Sequence, residues 1–391
     1  MSWTAAHLAD LVDAKPGFAC GEDALDGVFQ FRMNNVTTEG TLDLSRRRRV
    51  SANSRKLDSF LLQPSDVLFN ATNSPELVGK TAFFPGLEEP ATYSNHFLRL
   101  RPTVAIDGRY LARWLTWQYQ RKTFMGLCRQ WVNQASVSRE ALLNLIIPLP
   151  PPPEQRRIAA ILDQADALRA KRRAGLAELD TLAQSVFIEM FGNSATNPKG
   201  FPLGTLGDVA AFVGGGTPSR AVPEYFSGSI CWATSKDMKS RFLDDTQEHV
   251  TVAAVQASAT KVVPPGTVLV VVKSKVLMHR LPVAISRVDT CFGQDLKGIV
   301  VDETCLASYV ATALRMNASW LLKRARGINT EGLTLDHLRL FPLLLPSKSK
   351  QQDFARFADQ QELLHQRMSA SVDELAALFA ALQQRAFQGE L

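Results

Sequence analysis

The densest run of chemically useful side chains is Arg46-Arg47-Arg48-Arg49, followed closely by Arg55 and Lys56. A guanidinium presents a planar fork of donors that fits a phosphate or the O6/N7 edge of guanine, so the pattern points to nucleic acid. Arg32, Asn34 and Asn35 carry groups that suit purine edges, although adjacent asparagines also favour turns. A second polar and basic set comprises Thr217, Ser219, Arg220, Lys236, Lys239, Arg241, Lys273, Lys275, His279 and Arg280. Lys273 and Lys275 follow the apolar run Val268–Val272, so a strand should deliver them to a loop at its end. In such a set, half or more of the contacts are expected to go to phosphate and not to bases. The bland alternative for every member is a solvated loop.

Three patterns suggest enzymes; two fail, and the third, a Mg²⁺-dependent nuclease, stands as an alternative reading. Phe212-Val213-Gly214-Gly215-Gly216 fits a methyltransferase glycine loop. That chemistry also needs a polar-Pro-Pro-aromatic motif to grip a base, which Asn197-Pro198-Lys199-Gly200 and Val263-Pro264-Pro265-Gly266 do not supply. The glycines are therefore expected to form a turn beside DNA. Gly79-Lys80-Thr81 resembles the end of a phosphate loop, but Ser74 stands where its first glycine belongs and Pro75 spoils the nest of N–H groups. Glu224, Asp237 and Lys239 loosely fit a Mg²⁺-dependent nuclease, in which two acids hold the ion and the lysine orients water. The six histidines show no HxxxH or Cys-His spacing, and no GxSxG occurs. No catalytic or metal-ligating residue is expected.

The five cysteines are scattered and never spaced as CxxC, which suggests buried free thiols, a reducing compartment and a cytoplasmic location. No apolar stretch reaches the roughly 18 residues of a membrane span, and the N-terminal segment lacks an export layout. Net charge is +6. It divides as +3 over residues 1–150, zero over 151–192, +4 over 193–346 and −1 over 347–391. The basic surplus thus lies in the two long segments, as two nucleic-acid-binding domains would require.

These segments must be held by something, and the chain repeats itself to provide it. Shifted by 196 residues, Val137–Gly192 aligns with Leu333–Gln388 without a gap, with 13 of 56 positions identical. In each copy an apolar run ends in proline, and a helical pattern follows. From Glu154 to Phe191 such a helix would be about 57 Å long. Ile158, Ile161, Leu168, Leu179 and Leu182 in the first copy, and Phe357, Leu364, Leu375 and Leu378 in the second, are the expected helix-pairing residues. Elsewhere, Arg109–Lys122 and Leu306–Arg324 are the best helical patches among short strands. The fold class is therefore α+β: two mixed α/β domains joined by two long antiparallel coiled-coil-like helices, internally duplicated. The expected divisions are 1–150, 151–192, 193–346 and 347–391.

The segment Pro148–Gly192, with Glu154-Gln155-Arg156-Arg157-Ile158-Ala159 at the start of its helix, resembles the central conserved region of type I restriction-modification specificity subunits. Lys350-Gln351-Gln352-Asp353-Phe354-Ala355 resembles the family's second copy, and Gly214-Gly215-Gly216-Thr217-Pro218-Ser219 a signature of its recognition domains. The resemblance implies a non-catalytic chain whose two target-recognition domains each bind one half of a bipartite, asymmetric double-stranded DNA site. It implies helices that set the spacing and dock two methyltransferase subunits. Those subunits would carry S-adenosylmethionine, and a motor/nuclease restriction subunit would join them. A protein scaffold that touches no DNA is the other class of reading.

Overall fold

The central strands read Val67-Leu68-Phe69-Asn70 and Val268-Leu269-Val270-Val271, and the computed structural model buries all eight residues. Successive side chains on a strand face opposite ways, so a strand lying between two cores must be apolar on both faces. Val67 and Phe69 enter one core with Leu111 and Leu115, while Leu68 enters another with Phe29, Phe31 and Phe84. Val268 and Val270 likewise meet Val310 and Leu314, and Leu269 and Val271 meet Ala233 and Phe292. The longer helices are α1 (Gly108–Gln120), α2 (Pro152–Phe191), α3 (Ala307–Met316) and α4 (Lys348–Gln388). The structure describes residues 3–19, 23–51, 57–130, 134–325 and 332–391; Arg55, Lys56 and Cys20 lie outside them.

The chain forms two compact units, residues 1–173 with 371–391, and residues 174–370. In the first, strands Val12–Pro16, Phe97–Pro102, Val67–Asn70 and Thr81–Phe83 pair antiparallel in that order. In the second, Ala210–Gly214, Leu296–Val301, Val268–Val271 and Val283–Ser286 repeat that order, and Phe242–Leu243 joins the edge in parallel. Each unit adds a three-stranded mixed sheet. Asp23–Phe31 lies between Arg49–Val50 and Ala91–Tyr93 in one, and Ile230–Ala233 between Glu248–Val250 and Thr290–Phe292 in the other.

Helix α2 begins at Pro152, two residues before the expected Glu154. Proline is tolerated in a first turn, where its missing N–H has no intrahelical partner to lose. Just inside each long helix a buried glutamine anchors the turn that leads into the shorter one. Gln155 donates from Nε2 to the Ala105 and Pro150 carbonyls (3.0 and 2.9 Å), and its Oε1 accepts from the Asp107 N–H (2.7 Å). Gln351 does the same with Thr304, Pro346 and Leu306 at 3.0, 2.9 and 2.8 Å. Tyr110 and Tyr309 repeat the theme, donating to Pro148 O (2.8 Å) and Leu344 O (2.7 Å). Truncating such a glutamine leaves buried amide groups unpaired, each costing about 1–3 kcal/mol. Gln155→Ala is therefore expected to destabilise the first unit by about 3 kcal/mol, measured by urea unfolding; a loss below about 1 kcal/mol would contradict the anchoring role.

Each unit contains the start of one long helix and the end of the other. In the first, Ile158, Ala159 and Leu162 share a core with Phe379, Ala386 and Phe387. In the second, Phe187 and Phe191 pack with Phe354, Ala358 and Tyr309, and Gln361 Nε2 donates to Leu179 O at 2.9 Å. The buried faces are not the stripes expected from sequence. Ile158 is fully buried, Ile161, Leu179, Leu375 and Phe357 are partly covered, but Leu168, Leu182, Leu364 and Leu378 are 46–65% exposed. Six residues of α-helix turn through about 240°, so Leu168 sits far around the helix from Leu162. The seam is completed by residues outside the leucine pattern: Phe379 is buried, with the Arg169 guanidinium 4.3 Å from its ring centroid.

Candidate nucleic-acid interface

The second unit carries four of its eight basic candidates on one ribbon of chain. The central strand ends at Val271, and Lys273 leads into a single 3-10 turn, Lys275–Met278, whose start is capped by Ser274 Oγ accepting from the Val276 N–H (3.3 Å). Leu277 is buried beneath the turn and fixes it, so Lys273, Lys275, His279 and Arg280 stand exposed around one anchor. Among the described residues none of these four forms an ion pair, and the same holds for Lys236 and Lys239. Thr217 and Ser219 are also exposed. Arg220 is exposed but engaged: both of its terminal nitrogens pair with Glu248, holding that carboxyl below its usual range, and its guanidinium stacks on Phe226 at 4.2 Å.

Two expected DNA contacts have other employment. Asn35 is fully buried; its amide donates to Asp43 O (2.9 Å) and Arg46 O (2.8 Å), and its Oδ1 accepts from Arg32 N (2.9 Å). All its groups are spent on shaping the loop. Arg241 donates to Ala358 O at 3.0 Å, and burial lowers its pKa from the ordinary value. Glu362 and Asp359 of α4 face it and partly oppose that shift. The corresponding acids of α2, Asp163 and Asp166, are bound by Arg113 of α1 at 2.7 and 2.9 Å. The acid pair was legible as a repeat, but Arg113 was not, because its role depends on α1 lying beside α2. In the second unit Arg241, from another element, feels the charge of the corresponding acids but donates to the Ala358 carbonyl.

The first unit's arginine run is mostly tied to its own domain. Arg47 and Arg49 both pair with Glu89, Arg48 pairs with Asp23, and Arg49 also donates to Gly27 O at 2.9 Å. Arg46 is exposed and forms no ion pair among the described residues. Arg32, Asn34 and Arg48 line one concavity of about 370 Å³ with Asn95 and His96, which groups part of the run with the earlier candidates.

The patterns that mimicked enzymes resolve into packing. Gly215 and Gly216 are not a free turn: a Cβ on either would come within 2.5 Å of backbone atoms at Gly293 or Thr260, and Trp232 Nε1 donates to Gly216 O (3.1 Å). Lys80 is buried and donates to Met33 O (2.9 Å) and Val36 O (2.6 Å), so it has no reach toward a phosphate. Asp237 uses its carboxylate on the Thr234 and Gln247 N–H groups at 2.8 and 3.0 Å, as a turn anchor. Among the described residues, no cluster of three or more potential metal ligands includes Asp237 or Glu224.

Comparison with known proteins agrees with a paired architecture. The family model described as the type I restriction modification DNA specificity domain matches residues 3–178 and again 198–372. The chain is 28% identical over 249 residues to the type I restriction enzyme EcoR124I/EcoR124II specificity subunit of Escherichia coli, which covers 60% of this chain and 58% of that one. It is 31% identical over 145 residues to the putative type I restriction enzyme MjaX specificity subunit of Methanocaldococcus jannaschii, covering 37% of this chain and 34% of that one. The matched stretches thus span less than two thirds of these relatives. The fold is shared with a chain solved in a study of type I R-M complex assembly and conformational transition (TM-score 0.61, 18% identity, 100% and 98% coverage). It is shared also with the type I restriction-modification S subunit of M. genitalium (TM-score 0.60, 12% identity, 99% and 96% coverage). With two copies of the domain matched in one chain and the fold covered from end to end, this protein belongs to the type I restriction-modification DNA specificity family.

Proposed function

We propose that this chain is the non-catalytic DNA-reading subunit of a type I restriction-modification assembly. Residues 1–150 and 193–346 each read one half of a bipartite, asymmetric site on double-stranded DNA. Residues 151–192 and 347–391 form an antiparallel helix pair that sets the unread gap and docks two methyltransferase subunits. Those partners bind S-adenosylmethionine and methylate, and a motor/nuclease subunit adds restriction. The observation that carries the reading is the repeated fold with unlike surfaces. The two domains share strand order and helix anchors, yet one offers an exposed Arg46 beside a concavity lined by Arg32 and Asn34, and the other a lysine-rich turn. A protein with one fold and two different reading surfaces suits a site whose halves differ, and continuous helices suit a fixed separation. The free cysteines, and the lack of any described helix long and apolar enough to cross a membrane, are compatible with a cytoplasmic role.

Co-expression with the methyltransferase subunits, followed by sequencing of methylated adenines, tests this. A split motif with two unlike halves is expected; a single contiguous motif, or the same methylation without this chain, would refute it. DNA affinity should also fall linearly in log K against log salt, with a slope near −0.9 per neutralised phosphate. A flat response would instead favour a scaffold that does not touch DNA.

A further inference from the structure

In the second unit three unlike donors converge although the sequence scatters them. Cys231 lies on strand Ile230–Ala233 and His249 directly opposite on strand Glu248–Val250, so their side chains share a face. Asp245 sits in the segment that leads into the second strand. The Cys231 Sγ, the His249 Nε2 and a carboxylate oxygen of Asp245 all lie within 4.8 Å of one another. Both the thiol (3.6 Å) and the imidazole N–H (2.7 Å) are directed at the same Asp245 Oδ1. The surroundings hold this geometry: Thr246 N donates to Asp245 Oδ1 (2.8 Å), and Thr246 Oγ1 accepts from Trp232 N (3.0 Å) and donates to Glu248 O (2.6 Å).

We propose that Cys231, Asp245 and His249 form a three-ligand site for a transition-metal dication of the zinc class. Thiolate, imidazole and carboxylate are the zinc donor set, whereas Mg²⁺ and Ca²⁺ prefer oxygen alone. The buried Cys231 supplies a sheltered sulfur, and the exposed Asp245 leaves the fourth position open to water. Binding releases the Cys231 thiol proton to solvent and moves the imidazole proton of His249 from Nε2 to Nδ1, so that the Sγ and Nε2 lone pairs and the carboxylate donate to the ion. The ion would clamp residues 245–249 to the neighbouring strand. Sequence spacing gave no sign of it, because the ligands meet only through strand pairing.

The test is Co²⁺ titration of the full-length chain in metal-free buffer, which does not depend on DNA binding. One Co²⁺ per chain is expected, with thiolate-to-cobalt charge-transfer absorption in the near ultraviolet and tetrahedral bands in the visible, both abolished by added Zn²⁺. Cys231→Ser should remove the charge-transfer band, and His249→Gln, at a partly exposed position, should weaken Co²⁺ binding about tenfold or more. Zn²⁺ should raise the Tm of the parent chain and not of either variant. Absence of the charge-transfer band at millimolar Co²⁺, or its persistence in Cys231→Ser, would overturn the proposal.

Discussion

Replacing Lys273, Lys275 and Arg280 together by alanine is expected to weaken DNA binding roughly 100-fold near 0.15 M salt, and to do so for every sequence tested. Each phosphate contact contributes about 0.9 to the slope of log K against log salt, so losing three should flatten that slope by about 2.7. These side chains are exposed, form no ion pair among the described residues and are carried by a turn that Leu277 anchors, so removing them should leave folding intact. Filter binding or fluorescence anisotropy at several salt concentrations measures both quantities. An unchanged slope would place the DNA surface of the second domain elsewhere. A loss confined to one target sequence would make the turn a reader of bases and not of phosphates.

The second large effect separates two neighbouring residues. Phe379→Ala should cost about 3–5 kcal/mol, because it empties a site in the core shared by α1, α2 and α4 and strips the ring from under Arg169. Leu378→Ala, one position earlier, should change stability by no more than about 0.5 kcal/mol, since Leu378 is 65% exposed. Urea unfolding of the two variants gives the comparison. Equal effects would mean that Leu378 lies in the seam after all. A selective loss of methylation in Leu378→Ala, with stability intact, would instead mark that exposed leucine as part of a partner-docking surface.

Sequence and structure differ most at those leucines. A pattern of threes and fours states that a helix has a stripe but not where its centre runs, and aromatic residues such as Phe187 and Phe379 shift it. The arginine run shows a related limit. Arg47, Arg48 and Arg49 looked like a free basic surface, yet Glu89 and Asp23, 40 and 25 residues away in the chain, reach them. Charge is visible in a sequence; its neutralisation by distant strands is not.

What the sequence determined by itself was the plan: a repeat offset of 196 residues, proline-entered helices, and short apolar strands between them. Tertiary structure alone decided which side chains remain free to act. It buried Asn35 and Lys80, tied Arg241 to the Ala358 carbonyl, paired the arginines, and brought Cys231, Asp245 and His249 together. The reason is physical: periodicity arises within one element, whereas availability depends on the atoms that another element places within a few ångströms.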